Sequence, residues 1–184
     1  VKTVDPTLRD DIIAAIPNLR AFAISLSGSV DRADDLVQET LLRAFANIGS
    51  FRPGTNLSAW LFTILRNLFR SEYRKRRREV PDSDGAFAAT LTTHPDQNTH
   101  LDFEDFRAAL DRLPADQREA LVLVGASGFS YEEAADICQC AVGTIKSRVN
   151  RARRRLGEML SIDTAEDFGP DRPTRAILTA TDRP

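Results

Sequence analysis

Residues 130–150 read SYEEAADICQCAVGTIKSRVN, and this stretch has the layout of a helix-turn-helix. Ser130 and Glu133 have the i, i+3 spacing of a capping box: a Ser hydroxyl and a Glu carboxylate satisfy orphan backbone N–H groups at a helix start. Ala134, Ala135 and Cys138 are small, as close packing against a second helix requires. A turn of three to four residues follows. The next helix carries Ile145, Val149, Ala152 and Leu156 at three- to four-residue spacing, one buried stripe. Thr144, Lys146, Ser147, Arg148, Arg151 and Arg154 point elsewhere. Residues 142–156 hold six cations and no anion, although the chain's net charge is −2. Such a helix can lie in the major groove of DNA with its first residues nearest the base edges. Its later arginines are better placed for phosphates, which give affinity, while base contacts give selectivity. A Lys/Arg run alone is usually a solvated helix face; the cap, the turn length and a second basic helix upstream favour DNA binding.

The rest of the chain repeats the helical period, and no alternating strand pattern occurs. Segments 7–16 and 18–27 read as two short helices, with Pro17 placed to open the second. In residues 30–48 the positions Val30, Ala33, Leu36, Val37, Leu41, Ala44, Phe45 and Ile48 line one face. Asp31 is the expected N-cap and Gly49 the expected stop. Residues 57–79 form a long helix whose first half carries Trp60, Leu61, Ile64, Leu65 and Leu68. Its second half is cationic: residues 66–78, RNLFRSEYRKRRR, hold seven cations and one acid, with Phe69 and Tyr73 interleaved. Cations with aromatics suit single-stranded nucleic acid, because cations follow the backbone and aromatic faces stack on bases. The amide of Asn67 can read a base edge. Set against this, Trp60 and Phe62 also read as ordinary core.

Composition changes after Glu79. Residues 80–100 are rich in Pro, Gly, Ser, Thr and Asp, a tether too long for a loop within one compact domain. Helices are expected again near 102–112, 115–127, 131–138 and 142–160. The fold class is therefore all-α: two small helical domains, 1–79 and 102–161, joined by an acidic linker over 80–101. A tail over 162–184 is expected to be flexible, with Ile177 and Leu178 able to dock. Domains of this size should be only modestly stable alone. Charge is segregated along the chain: +4 over 1–79, −6 over 80–106, +2 over 107–161 and −2 over 162–184.

Several classes are disfavoured. No apolar run reaches the roughly 18 residues of a membrane span, and the N-terminus has no apolar export signal. Cys138 and Cys140 are separated by one residue, a poor disulfide geometry. No His/Cys cluster completes a metal site, so both read as small core residues of a reducing cytoplasm. His94 and His100 fall in the linker with no acid–base partner. No nucleophile–base set or phosphate-binding glycine loop appears, so no catalysis, metal or cofactor is expected.

Three segments in order, DDLVQETLLRAF, LSAWLFTILRN and LPADQREALVLVGASGFSYEEAADICQCAVGTIKSRVNRARRRL, resemble bacterial sigma factors of the extracytoplasmic-function type over about residues 10–160. LFRSEYRKRRREV further resembles the alphaproteobacterial general-stress subgroup. The resemblance implies that the first domain binds RNA polymerase and opens the −10 element, while the second reads the −35 element, of GGAAC type in this subgroup. It implies as partners the polymerase core, through its β′ coiled coil and β flap, promoter DNA, and a small anti-sigma factor displaced by a response regulator with a sigma-like domain. Asp35, Gln38, Glu39 and Arg43 match the helix that docks on the β′ coiled coil. Asn67 matches the acceptor of a flipped −10 base, with the pocket around residues 54–67 that includes Trp60. Arg74, Lys75, Arg76, Arg77 and Arg78 match the basic end near the duplex junction. Thr144, Lys146, Ser147, Arg148, Arg151 and Arg154 match the −35 reader, and the acidic linker matches a segment that runs through the polymerase cleft.

Two departures matter: Gln139 stands where the turn usually has Gly, at a backbone position tending to positive φ, and Ala141 replaces a common Ser cap. The competing readings are a sigma-like module that titrates an anti-sigma factor, which needs no cationic DNA surface, and a plain helix-turn-helix repressor, which needs no first domain.

Overall fold

The computed structural model describes residues 6–79 and 99–160, with side chains described for 6–76 and 104–160. The acidic tether over 80–98, with His94, the C-terminal tail with Ile177 and Leu178, and the side chains of Arg77, Arg78 and His100 lie outside the described residues. The described residues are helical, with no strand among them: α1 Pro6–Ala14, α2 Ile16–Ser27, α3 Val30–Ala46, α4 Leu57–Glu79, α5 Thr99–Asp111, α6 Ala115–Gly125, α7 Tyr131–Cys138 and α8 Val142–Leu160, with a 3₁₀ turn at Ile48–Ser50.

Helix ends follow local chemistry. Pro17 falls in the first turn of α2, where its missing N–H costs nothing. The helix stops at Gly28 (φ 67°), a left-handed conformation that glycine adopts without penalty. Asp31 is not the N-cap of α3. Ser29 is, because its extended backbone (φ −139°, ψ 133°) brings its hydroxyl onto the N–H of Arg32. Asp31 sits in the first turn, where its charge still favours the positive helix end. Nor does Gly49 end this helix. Asn47 does so earlier, its backbone N–H and its amide both donating to the Arg43 carbonyl, and Gly49 falls in the 3₁₀ turn. At the start of α4 the Asn56 side-chain oxygen accepts from the Ala59 N–H at 3.1 Å.

The N-terminal helices bury Leu19, Phe22, Ala23, Leu36, Val37, Leu61, Phe62 and Leu65 against one another. The C-terminal helices bury Leu123, Ile137, Ile145 and Val149, with a smaller cluster of Ala109, Leu113, Ala152 and Leu156 where α5 meets α8. The two halves do not stay apart. α6 packs on α2 and α7 on α4, and one continuous apolar cluster runs through both. Phe62 is the hinge of this packing: its ring stacks on Phe22 at 5.0 Å and meets Phe129 edge-on at 4.9 Å. Two modules too small to bury much surface alone thus bury apolar area on each other, at roughly 25 cal/mol per Å² removed from water.

Truncating Phe62 to Ala removes contacts to both modules at once. The expected loss in unfolding free energy is about 3–5 kcal/mol, read by denaturant titration of the full chain. A loss under about 1 kcal/mol would mean that the shared core is not formed in solution.

Candidate nucleic-acid interface

The helix-turn-helix is assembled by α7 and α8. The Glu133 N–H donates to the Ser130 hydroxyl at 3.1 Å and the Ser130 N–H donates to the Glu133 carboxylate at 2.9 Å, a complete capping box. Those bonds, with a further one from the Asn56 amide, hold the Glu133 carboxyl below its ordinary pKa. Gln139 then turns the chain with φ 52°, ψ 49°, in the left-handed region where a side chain is strained. Cys138 is buried, and burial pushes its thiol up to about 12, so it stays protonated and inert as a ligand.

In α8, Ile145, Val149, Ala152 and Leu156 are buried as one stripe. The polar positions divide into two kinds. Lys146, Arg151 and Arg154 are exposed. Lys146 is steered by the Tyr131 ring, 5.8 Å below its ammonium. Arg151 donates to the Ser147 hydroxyl at 3.1 Å, and that hydroxyl donates to the Thr144 carbonyl at 3.0 Å, so Thr144, Ser147 and Arg151 form one ordered ladder. Arg148 differs. Its side chain is only 20% exposed, pairs with Asp116 of α6 at 3.1 Å and donates to the Cys140 sulfur at 3.9 Å. It fastens α8 to α6.

The second cationic surface is the C-terminal half of α4. Asn67, Arg74, Lys75 and Arg76 are exposed. Trp60 is half-buried and packs on Phe51 at 5.4 Å, while Phe62 belongs wholly to the core. Near the end of α4 a charged cleft of about 280 Å³ is lined by Arg32 and Asp35 from α3 and by Glu72, Lys75 and Arg76. Burial first, and then the neighbouring Arg76 charge, lower the Arg32 pKa, while Glu72 opposes them, so the cleft sets three cations against two carboxylates.

A third surface lies on α3. Asp35, Gln38 and Arg43 are exposed and Glu39 is half-buried, with Arg43 donating to Glu39 at 2.7 Å. Beside them Leu42 is 60% exposed and Phe45 39%. Phe45 reads as core from its spacing, and Leu42 carries no site signal in the sequence. Their exposure is the only clue, and it appears once α3 is rotated against α2 and α4. Among the described residues no group of His, Cys, Asp or Glu is arranged to hold a metal, and no helix is long and apolar enough to cross a membrane.

An all-helical pair of modules, one ending in a basic helix and the other in a helix-turn-helix, is the architecture of a transcription-initiation specificity factor. The chain belongs to the sigma-70 family of RNA polymerase sigma factors: residues 12–79 match Sigma-70 region 2 and residues 103–156 match Sigma-70 region 4. Its group is the extracytoplasmic-function one. It is 74% identical over 172 residues to the ECF RNA polymerase sigma factor EcfG of Rhodopseudomonas palustris, covering 94% of this chain and 95% of that one. It is 39% identical over 137 residues to the ECF sigma factor SigC of Mycobacterium tuberculosis, covering 72% of each. Among solved structures it resembles the sigma factor RpoE of Bartonella quintana, determined in complex with the anti-sigma factor NepR, with TM-score 0.78 and 58% identity over 87% of this chain and 100% of that one.

Gln139 provides a test of the turn. Gln139→Gly relieves the positive φ and is expected to raise stability by up to ~1 kcal/mol in thermal unfolding. A fall in stability would mean that Gln139 makes compensating contacts in solution.

Proposed function

We propose that this sigma factor directs polymerase to GGAAC-type promoters of general stress genes in the cytoplasm. The carrying observation is that both family-matched modules keep an exposed cationic helix: α4 with Asn67, Arg74, Lys75 and Arg76, and α8 with Lys146, Arg151 and Arg154. In this reading α4 and the loop before it, with Trp60 and the basic run through Arg77 and Arg78, hold the opened −10 element, and Asn67 accepts a base turned out of the stack. DNA opening then uses binding energy, since exposing a base costs a few kcal/mol. α8 lies in the major groove at the −35 element, with Thr144, Lys146, Ser147 and Arg151 toward the base edges and Arg154 toward the backbone. Arg148 acts there through Asp116, setting the angle of α8.

Asp35, Gln38, Glu39 and Arg43 dock on the polymerase core, and the exposed Leu42 and Phe45 supply the apolar centre that such a patch needs. The acidic tether runs through the polymerase cleft. The β flap holds the second module. A small anti-sigma factor restrains the free chain. The likeness to a sigma factor solved with NepR supports that last assignment, and no chemical step is assigned to this chain itself.

Run-off transcription with purified core polymerase tests the reading. The chain is expected to start transcription at a GGAAC-type promoter. Silence there, with tight capture of the anti-sigma factor, would mark it as a titrating mimic. In the same assay, Lys146→Ala is expected to cost roughly 1–3 kcal/mol in promoter binding and to relax selectivity at one −35 base. A loss equal across all sequences would reassign Lys146 to phosphate.

A further inference from the structure

Among the described residues the most deeply buried ion pair joins the two modules. Arg66 of α4 donates through Nε to Glu119 Oε1 at 2.6 Å and through Nη2 to Oε2 at 3.4 Å, and the two side chains are 1% and 6% exposed. Arg66 is the largest fully buried side chain among the described residues. At the edge of the same contact Asn56 donates to Glu133 at 2.6 Å, tying the loop before α4 to the cap of α7. Between these two points Phe62 meets Phe129. Beside exposed Asn67, α4 is thus packed by α7 and reached from α6 through Glu119.

This closed arrangement cannot be the promoter-bound one. Elements named −10 and −35 lie about 25 base pairs apart, or ~85 Å at 3.4 Å per pair. A globule of the described size spans only ~40 Å. The modules must part. An apolar contact resists parting in proportion to its area. A buried ion pair behaves differently: it paid a desolvation cost on closing, and both charges regain water on opening. It also fixes register, because any sliding strands a buried charge.

We propose that Arg66–Glu119 is a latch. It holds the free chain closed in one register and makes that closed state easy to leave when core polymerase and promoter bind. This rests on the sigma-factor reading, since opening is needed only if the two modules grip separate elements. Binding of core by the open form makes the apparent affinity scale with the open fraction.

Three full-length variants test the latch by radius of gyration of the free chain and by affinity for core polymerase. Glu119→Ala strands the buried Arg66 charge; the chain is expected to expand and to bind core more tightly. Arg66→Met with Glu119→Leu keeps the shape without charge; the chain stays compact and binds core about tenfold more weakly. Arg66→Glu with Glu119→Arg restores the pair and returns both readings toward wild type. Helical circular dichroism separates opening from unfolding, and if Glu119→Ala loses helix the two double variants decide.

The latch is overturned if the apolar pair binds core as tightly as wild type. It is equally overturned if Glu119→Ala stays compact with unchanged affinity. A wild-type chain that fails to bind core at all counts against the sigma-factor reading instead, and the order of the radii alone then decides the latch.

Discussion

The long helix α4 has to satisfy two incompatible surroundings, and the rest of the structure is arranged around that constraint. Its inner face, Leu61, Phe62, Leu65 and Leu68, is buried. Its outer face, from Asn67 through Arg76, is polar, cationic and exposed. Arg66 sits at the seam. A guanidinium at that depth is tolerable only with a carboxylate in contact, and the carboxylate comes from the other half of the chain. One ion pair thereby makes the burial of α4 depend on how the second module is docked. The cost of that arrangement is stability; what it supplies is a contact with a defined register.

The same division runs through α8. Its apolar stripe anchors it to α5, α6 and α7, while its cations are left in water. The exceptions are informative. Arg148 is held by Asp116, Lys146 by the Tyr131 ring, and Arg151 by Ser147. Under the proposed function, pre-ordering long side chains in this way lowers the entropy lost on binding DNA. Charge alone does not show which cations lie free in solvent, since Arg148 pairs with Asp116 while its neighbours in the basic run are exposed.

Much of this was legible in the residues. The period of α8 and the Ser130–Glu133 cap follow from local chemistry, which is what a sequence carries, whereas the positive φ at Gln139 was expected only from the family resemblance. Helix ends were less legible: Ser29 and Asn47 took the roles expected of Asp31 and Gly49, because capping depends on which side chain the extended backbone presents. What the residues could not give is anything set by the meeting of distant helices. Arg66 and Glu119 look like two more surface charges until α4 and α6 touch. Leu42 and Phe45 differ from their buried neighbours only through the rotation of α3. Arg148 reads as one more cation of the basic run, and its pairing with Asp116 shows only once α6 is set beside α8.

The central claim is that one shared core in the free chain becomes two separate grips on promoter DNA. The most direct measurement is the distance between a probe on α2 and a probe on α5, by resonance energy transfer, first in the free chain and then in the holoenzyme–promoter complex. The account predicts a short distance in the free chain and one longer by tens of Å on the promoter (the element spacing alone is ~85 Å). An unchanged distance in a transcribing complex would contradict it.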